Sequence, residues 1–216
     1  MRAILIAAKQ LAFAKTRLAQ ALPASSERMA LAEAMFRDVL GAAMAARSAD
    51  RVAVVTSDPS LLGLARAAGA LALDEEYPRG LNVAVRMATA ELIRLGAATV
   101  CTVLSDIPLT TGEDIDATIA ALPAGTRGVA LVPSGDFSGT NMIARTPPDV
   151  ISTQFGRLSL VRHLDDCRER AIPCAIVRLQ RPALDLDTPA DLIEFARMPS
   201  TTHTHGHLAR LGLLHG

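Results

Sequence analysis

Arg51-Val52-Ala53-Val54-Val55-Thr56-Ser57-Asp58-Pro59, running on to Ala68-Gly69-Ala70-Leu71-Ala72-Leu73, is the stretch that decides the fold. Its valine-rich start reads as a strand. Ser57-Asp58-Pro59 then opens a helix, because the ring of Pro59 fixes a φ suited to the first helical position. Gly69 ends that helix after about Ala68. Ala70–Leu73 is a second short apolar run. Strand, helix and strand in immediate succession are one βα unit of a parallel sheet.

The same alternation continues on both sides. Arg2–Ala7 reads as a fully buried strand, and Thr99–Leu104, Gly128–Val132, Thr140–Ala144 and Cys174–Val177 as further strands. Glu27–Arg47 is helical: Met29, Leu31, Ala32, Met35, Phe36, Val39, Leu40 and Met44 recur at three- and four-residue steps. Ser25 or Ser26 is placed to cap it. Gly80–Leu95, Gly112–Leu122, Leu158–Arg170 and Thr188–Arg197 carry the other helical patterns. The expected class is α/β, a mostly parallel sheet with helices on both faces and right-handed crossovers. In such sheets ligands gather outside the carboxyl ends of the strands. Lys9, Ser57, Asp106 and Asp185 each follow such an end.

Composition narrows the functions. With 216 residues the chain can bury one substantial core, and residues 1–198 read as a single domain. Its formal net charge is +0, so no bulk field draws it to nucleic acid or an anionic membrane. Aromatics are 3% with no Trp, which removes the stacking platforms of single-strand binders. Three cysteines without a C-x-x-C spacing argue against a disulfide framework or structural zinc. The apolar N-terminal segment is interrupted at Lys9 and is too short for a signal peptide. No apolar run has the length of a membrane helix. The chain reads as soluble, unprocessed and cytoplasmic. Pro199–Gly216 holds four of the five histidines and reads as a mobile polar tail, with metal binding as the other reading. Oligomeric state is not legible.

Five groups of residues can carry chemistry. Lys9 and Lys15, the only lysines, sit with Arg17 in the loop leaving the first strand. They form either a cationic clamp for a triphosphate or a solvated basic loop. The loop is not G-x-x-x-x-G-K-[ST], and G-x-G-x-x-G is absent too. Leu104-Ser105-Asp106-Ile107-Pro108 ends a strand in a carboxylate that either holds Mg²⁺ or shapes a turn. Asp185-Leu186-Asp187 places two carboxylates on one side of an extended segment, which is unfavourable unless a cation lies between them. Capping by Asp187 or Thr188 accounts for only one of the two aspartates. Thr140-Asn141 and Phe155-Gly156-Arg157-Leu158-Ser159 suit a small phosphorylated acid, or merely a hairpin and a capped helix. Gly80 and Asn82, at a helix start, suit either a base and ribose or a turn.

In this order, the stretches resemble one family: the guanylyltransferases that make the deazaflavin coenzyme F-420. The resemblance spans nearly all of residues 1–197. It implies a nucleotide-diphospho-sugar transferase (glycosyltransferase-A-like) fold. It also implies a reaction joining GMP from GTP to phosphoenolpyruvate, 2-phospho-L-lactate or 3-phospho-D-glycerate, with release of pyrophosphate. By resemblance, Lys9, Lys15 and Arg17 face the triphosphate. Gly80, Asn82 and Ser105 serve the nucleotide, Thr140, Gly156 and Ser159 the acid, and Asp106, Asp185 and Asp187 hold Mg²⁺. Ala7-Ala8 and Ser138-Gly139 depart from the family's usual proline-containing turn and paired glycines. The rival enzymes are a CTP-dependent sugar- or polyol-phosphate transferase, a molybdenum-cofactor transferase and a glycosyltransferase. A non-catalytic nucleotide-binding protein is the alternative of another class.

Overall fold

A computed structural model describes residues 1–214. The strands are β1 (Arg2–Ala7), β2 (Arg51–Thr56), β3 (Leu71–Asp74), β4 (Thr99–Leu104), β5 (Gly128–Pro133), β6 (Thr140–Thr146) and β7 (Cys174–Ile176). They form one sheet in the order β3-β2-β1-β4-β6-β5-β7. All pairings are parallel except those of β6, which runs antiparallel to both β4 and β5. The expected mostly parallel sheet is therefore present, with one reversed strand. That reversal brings the start of β6 beside the carboxyl end of β4.

The helices are α1 (Ser25–Ala45), α2 (Pro59–Ala67), α3 (Leu81–Arg94), α4 (Gly112–Ala120), α5 (Ser159–Glu169), α6 (Gln180–Ala183), α7 (Pro189–Ala196) and α8 (His203–Arg210). Strand periodicity of two sorts their partners. Ile4 and Ile6 of β1 face the core shared with α1, α2, α4, α7 and α8, whereas Ala3, Leu5 and Ala7 face the core shared with α3 and α5. Both faces of the sheet are covered, which is why β1 reads as an unbroken apolar run. Burying Ile4, Leu5 or Ile6 stabilises by about 1.5–3 kcal/mol each.

Local chemistry sets the helix starts. Asp58 accepts the N–H groups of Ser60 and Leu61 at 2.9 and 3.3 Å, so the βα unit opens as its sequence implies. Thr188, rather than Asp187, caps α7, in a reciprocal box with Asp191. Neither Ser25 nor Ser26 caps α1: the helix already begins at Ser25, and Ala24 at the N-cap has no side-chain acceptor. Gly112 opens α4 where α1 ends. A Cβ there would lie 2.9 Å from the Ala45 carbonyl carbon and the Ala46 nitrogen.

The expectation of a polar tail standing apart from the domain needs correction. α8 packs along α1. The Asp38 carboxylate on α1 accepts the N–H of His203 and of Thr204, and the Thr204 hydroxyl, at 2.7, 2.9 and 2.6 Å. Leu208 is buried beneath the helix. The alternating histidines lie on a helix, where alternate residues diverge. His205 pairs with Ser200, and His207 Nδ1 lies 3.4 Å from Arg210. His215, also part of that expected tail, lies outside the described residues. Among the described residues, no helix is long and apolar enough to cross a membrane.

Candidate functional site

The loops at the carboxyl edge of β1, β4 and β5 open into a cleft of about 950 Å³. The turn leading into β6 closes one side, and the segments before α5 and α7 close the others. Ten of the twelve residues singled out in the sequence line it: Lys9, Lys15, Arg17, Ser105, Asp106, Thr140, Gly156, Ser159, Asp185 and Asp187. Gly80 and Asn82 do not. Gly80, at φ 95°, turns the chain into α3, and its neighbour Leu81 reaches the cleft. The Asn82 carboxamide bonds the Phe155 backbone twice: Nδ2 donates to the carbonyl at 3.0 Å and Oδ1 accepts the N–H at 2.7 Å. Asn82 therefore braces the loop that carries Gly156.

The cationic loop is folded down into the site. The Leu11 N–H donates to Asp58 at 2.9 Å, and Leu18 is fully buried. Lys15 lies between, in the left-handed region at φ 53° and ψ 35°. That conformation is uncommon for a side-chain-bearing residue and is held by its surroundings. It directs the lysine inward, where the side chain is 7% exposed. Lys15 Nζ lies 3.0 Å from Asp106 Oδ2 and 2.8 Å from Asp187 Oδ1. Arg17 remains in solvent, 3.8 Å from Asp187 Oδ2.

Charge is dense here. Burial opposes the Lys15 charge, but Asp106 and Asp187 outweigh it and hold the pKa above its usual value. Burial likewise opposes ionisation of Asp187, and Lys15, Arg17 and Lys9 together hold that carboxyl below its usual value. Asp185 has no such cation among the described residues. Burial first, then the Asp106 charge, pushes it up to about 6. The Leu186 N–H donates to the Asp106 carbonyl at 3.0 Å, tying the two acidic loops together. Asn141 Nδ2 donates to the Pro182 and Ala183 carbonyls at 2.9 and 3.2 Å, with Asp185 Oδ1 at 3.3 Å.

These carboxylates fit a hard divalent cation chemically. Asp106 Oδ1 is buried without a hydrogen-bond partner, and Asp185 is crowded by like charge. Among the described residues, no three acidic, His or Cys side chains are already spaced as a metal cage. The Lys15 ammonium instead bridges two of the three aspartates.

The opposite wall carries Arg157 and Asp136 among hydroxyl and glycine residues. Gly156, at φ 118°, leads to Leu158 in the left-handed region and to the start of α5 at Ser159. A helix start favours an anion. Thr140 Oγ1 lies 3.0 Å from His163 Nδ1. The turn before Thr140 is stitched by Asp136, which accepts from Ser134 Oγ, Ser138 N and Ser138 Oγ. A Cβ on Gly139 would lie 2.9 Å from Ser134 Oγ, which would have to move off its bonds to Asp136 and the Gly139 N–H. The sequence offered Asn141 beside Thr140 as part of the acid site, without its bonds to the segment before Asp185, and did not assign His163. Nothing in the spacing distinguishes His163 from a packed histidine.

The profile of a family described as "Guanylyl transferase CofC like" matches residues 1–214. A phosphoenolpyruvate guanylyltransferase of Sphaerobacter thermophilus is 44% identical over 188 residues, 87% of this chain and 89% of that one. A 3-phospho-D-glycerate guanylyltransferase of Phenylobacterium zucineum is 37% identical over 194 residues, 88% of each chain. A crystal structure from Desulfovibrio desulfuricans G20, of a protein assigned as a nucleotide-diphospho-sugar transferase, superposes with a TM-score of 0.78. At 20% identity, with 99% of this chain and 96% of that one covered, it shows the shared fold.

Proposed function

The chain belongs to the CofC-like guanylyl transferase family, and from that premise we propose that it joins GMP from GTP to a phosphorylated three-carbon acid. Phosphoenolpyruvate is the first choice of acid, by similarity to the relative from Sphaerobacter. 3-Phospho-D-glycerate and 2-phospho-L-lactate share the phosphate and carboxylate that the cleft has to hold. The convergence of Lys15, Asp106, Asp185 and Asp187 opposite Thr140 and the start of α5 carries this reading. One wall suits a triphosphate with its counter-charge, and the other suits a smaller anion.

In the proposed reaction an oxygen of the acid's phosphate attacks the α-phosphorus of GTP. The bond from that phosphorus to the β-phosphate oxygen breaks, and its electron pair leaves with pyrophosphate. No covalent enzyme intermediate is needed, so the protein's contribution is positioning and charge neutralisation. Lys9, Lys15 and Arg17 face the triphosphate and meet the charge that moves onto pyrophosphate. Thr140, Gly156 and Ser159 hold the acid. Ser105 and the Leu81 end of α3 border the nucleotide, with Gly80 and Asn82 shaping that border from behind. Asp106, Asp185 and Asp187 would hold Mg²⁺, which when bound neutralises phosphate oxygens. With a triphosphate in the cleft, Lys15 would exchange its aspartate partners for phosphate oxygens.

Pyrophosphate release tests the proposal, measured with each of GTP, CTP, ATP and UTP against the three acids in Mg²⁺. Release with GTP and at least one acid is expected. Release with CTP alone would favour a cytidylyltransferase, and nucleotide binding without release would favour a non-catalytic protein.

A further inference from the structure

We infer that His163 is a positioning residue that turns the Thr140 hydroxyl into a hydrogen-bond donor aimed at the anionic acid. His163 is fully buried on α5, one turn beyond Ser159. The Gln154 backbone N–H lies 2.8 Å from Nε2. An amide N–H can only donate, so Nε2 offers its lone pair and carries no proton. A neutral imidazole must then carry its proton on Nδ1. Nδ1 lies 3.0 Å from Thr140 Oγ1, so histidine donates and the hydroxyl accepts. A hydroxyl has a single proton. Among the described residues, no other acceptor takes that proton, and Thr140 lines the cleft. That proton is free for an accepting group in the cleft, such as a phosphate or carboxylate oxygen.

The same ring holds the other flank of the acid subsite. Its bond to Gln154 anchors the chain just before Phe155-Gly156, and Phe155 packs edge-on against it at 5.7 Å and 80°. Burial, assisted by the Arg145 and Arg162 charges against the opposing pull of Asp166, lowers the His163 pKa to about 4. The ring is therefore neutral near pH 7. A protonated ring would set an N–H against the Gln154 N–H.

This inference rests on the acid site proposed above. Its first test needs no substitution: long-range ¹⁵N–¹H NMR of the wild-type protein reports which ring nitrogen of His163 is protonated. Nδ1–H is expected, and an Nε2–H tautomer would overturn the inference. The second test compares KM values. His163→Leu is expected to raise KM for the acid about tenfold, as for a lost hydrogen bond to a charged group, with KM for GTP unchanged. His163→Asn, which keeps a donor near Nδ1, should stay within about threefold of wild type. In a Thr140→Val background His163→Leu should add clearly less than it does in wild type, because only the Gln154 anchor remains to be lost. Circular dichroism checks the fold of each variant. An unchanged acid KM in folded His163→Leu, or the same loss in both backgrounds, would reduce His163 to packing. Wild-type protein that joins GMP to none of the three acids would instead overturn the proposed reaction, and this inference with it.

Discussion

Replacing Lys15 with methionine keeps the unbranched stem, one atom shorter, and removes its charge. In the free protein the ammonium contacts Asp106 and Asp187 at 3.0 and 2.8 Å. With charge centres roughly 4 Å apart and an effective dielectric near 20, each attraction is about 4 kcal/mol. Desolvation of the ammonium offsets much of this, and removing one partner of a buried pair commonly costs about 3–5 kcal/mol. The aspartate side chains here are 26% and 40% exposed, so water screens part of the loss. A net destabilisation of about 2 kcal/mol follows, lowering Tm by about 4–8 °C in a chain of this size. The assay is thermal unfolding by circular dichroism, first with chelator and then with Mg²⁺. Because the ammonium and the cation compete for the same carboxylate oxygens, Mg²⁺ should raise Tm more in Lys15→Met than in wild type. A variant as stable as wild type in chelator would refute the electrostatic account. An equal Mg²⁺ gain in both proteins would show that the cation and Lys15 do not share ligands.

Three further outcomes are expected. Asp187→Asn should lower turnover at least about tenfold with an unchanged circular dichroism spectrum, and normal turnover would remove Asp187 from the metal site. His163 makes stability depend on pH in a defined direction. The unfolded histidine binds a proton below about pH 6.5, whereas the folded one stays neutral down to about 4. The unfolded state therefore holds the extra proton in that window, and stability falls by up to about 3 kcal/mol as pH drops through it, then levels off. Urea titrations of wild type and His163→Asn should diverge in slope between those pH values, and parallel curves would show that the ring already charges in the folded protein. Gly112→Ala should destabilise by about 1–3 kcal/mol, because its Cβ meets the Ala45–Ala46 backbone. A denaturant midpoint equal to that of wild type would show that α1 and α4 can separate there.

Local chemistry explains how much of the molecule was legible. Val52–Val55, Pro59 and Gly69 signal strand, helix start and helix end within a few residues of one another, so the βα units could be read directly. The apolar run of β6 carries no sign of direction, and its antiparallel pairing depends on β4 and β5. α8 looked like a tail because its composition is polar. Its docking depends on Asp38, 165 residues before His203, and on Leu208, with Leu211 and Leu214 packed against the same core. Within the site the charges stood out because each follows a strand end. Their pairing did not, since Lys15 meets Asp106 and Asp187 across 91 and 172 residues. Asn82 illustrates the same limit. Its carboxamide suits a nucleotide base as well as a backbone, and only the fold reveals Phe155 as its partner.

The proposed reaction is tested most directly by the mass of its product. Purified protein, GTP and Mg²⁺ are incubated with phosphoenolpyruvate, 2-phospho-L-lactate or 3-phospho-D-glycerate, and the nucleotide products are identified by mass spectrometry. The expected result is a new species in which GMP is joined through a diphosphate to the acid, formed with an equal amount of pyrophosphate, and phosphoenolpyruvate should be the best acceptor. GTP left intact with all three acids, or an adduct that forms only with CTP, would contradict the proposed reaction.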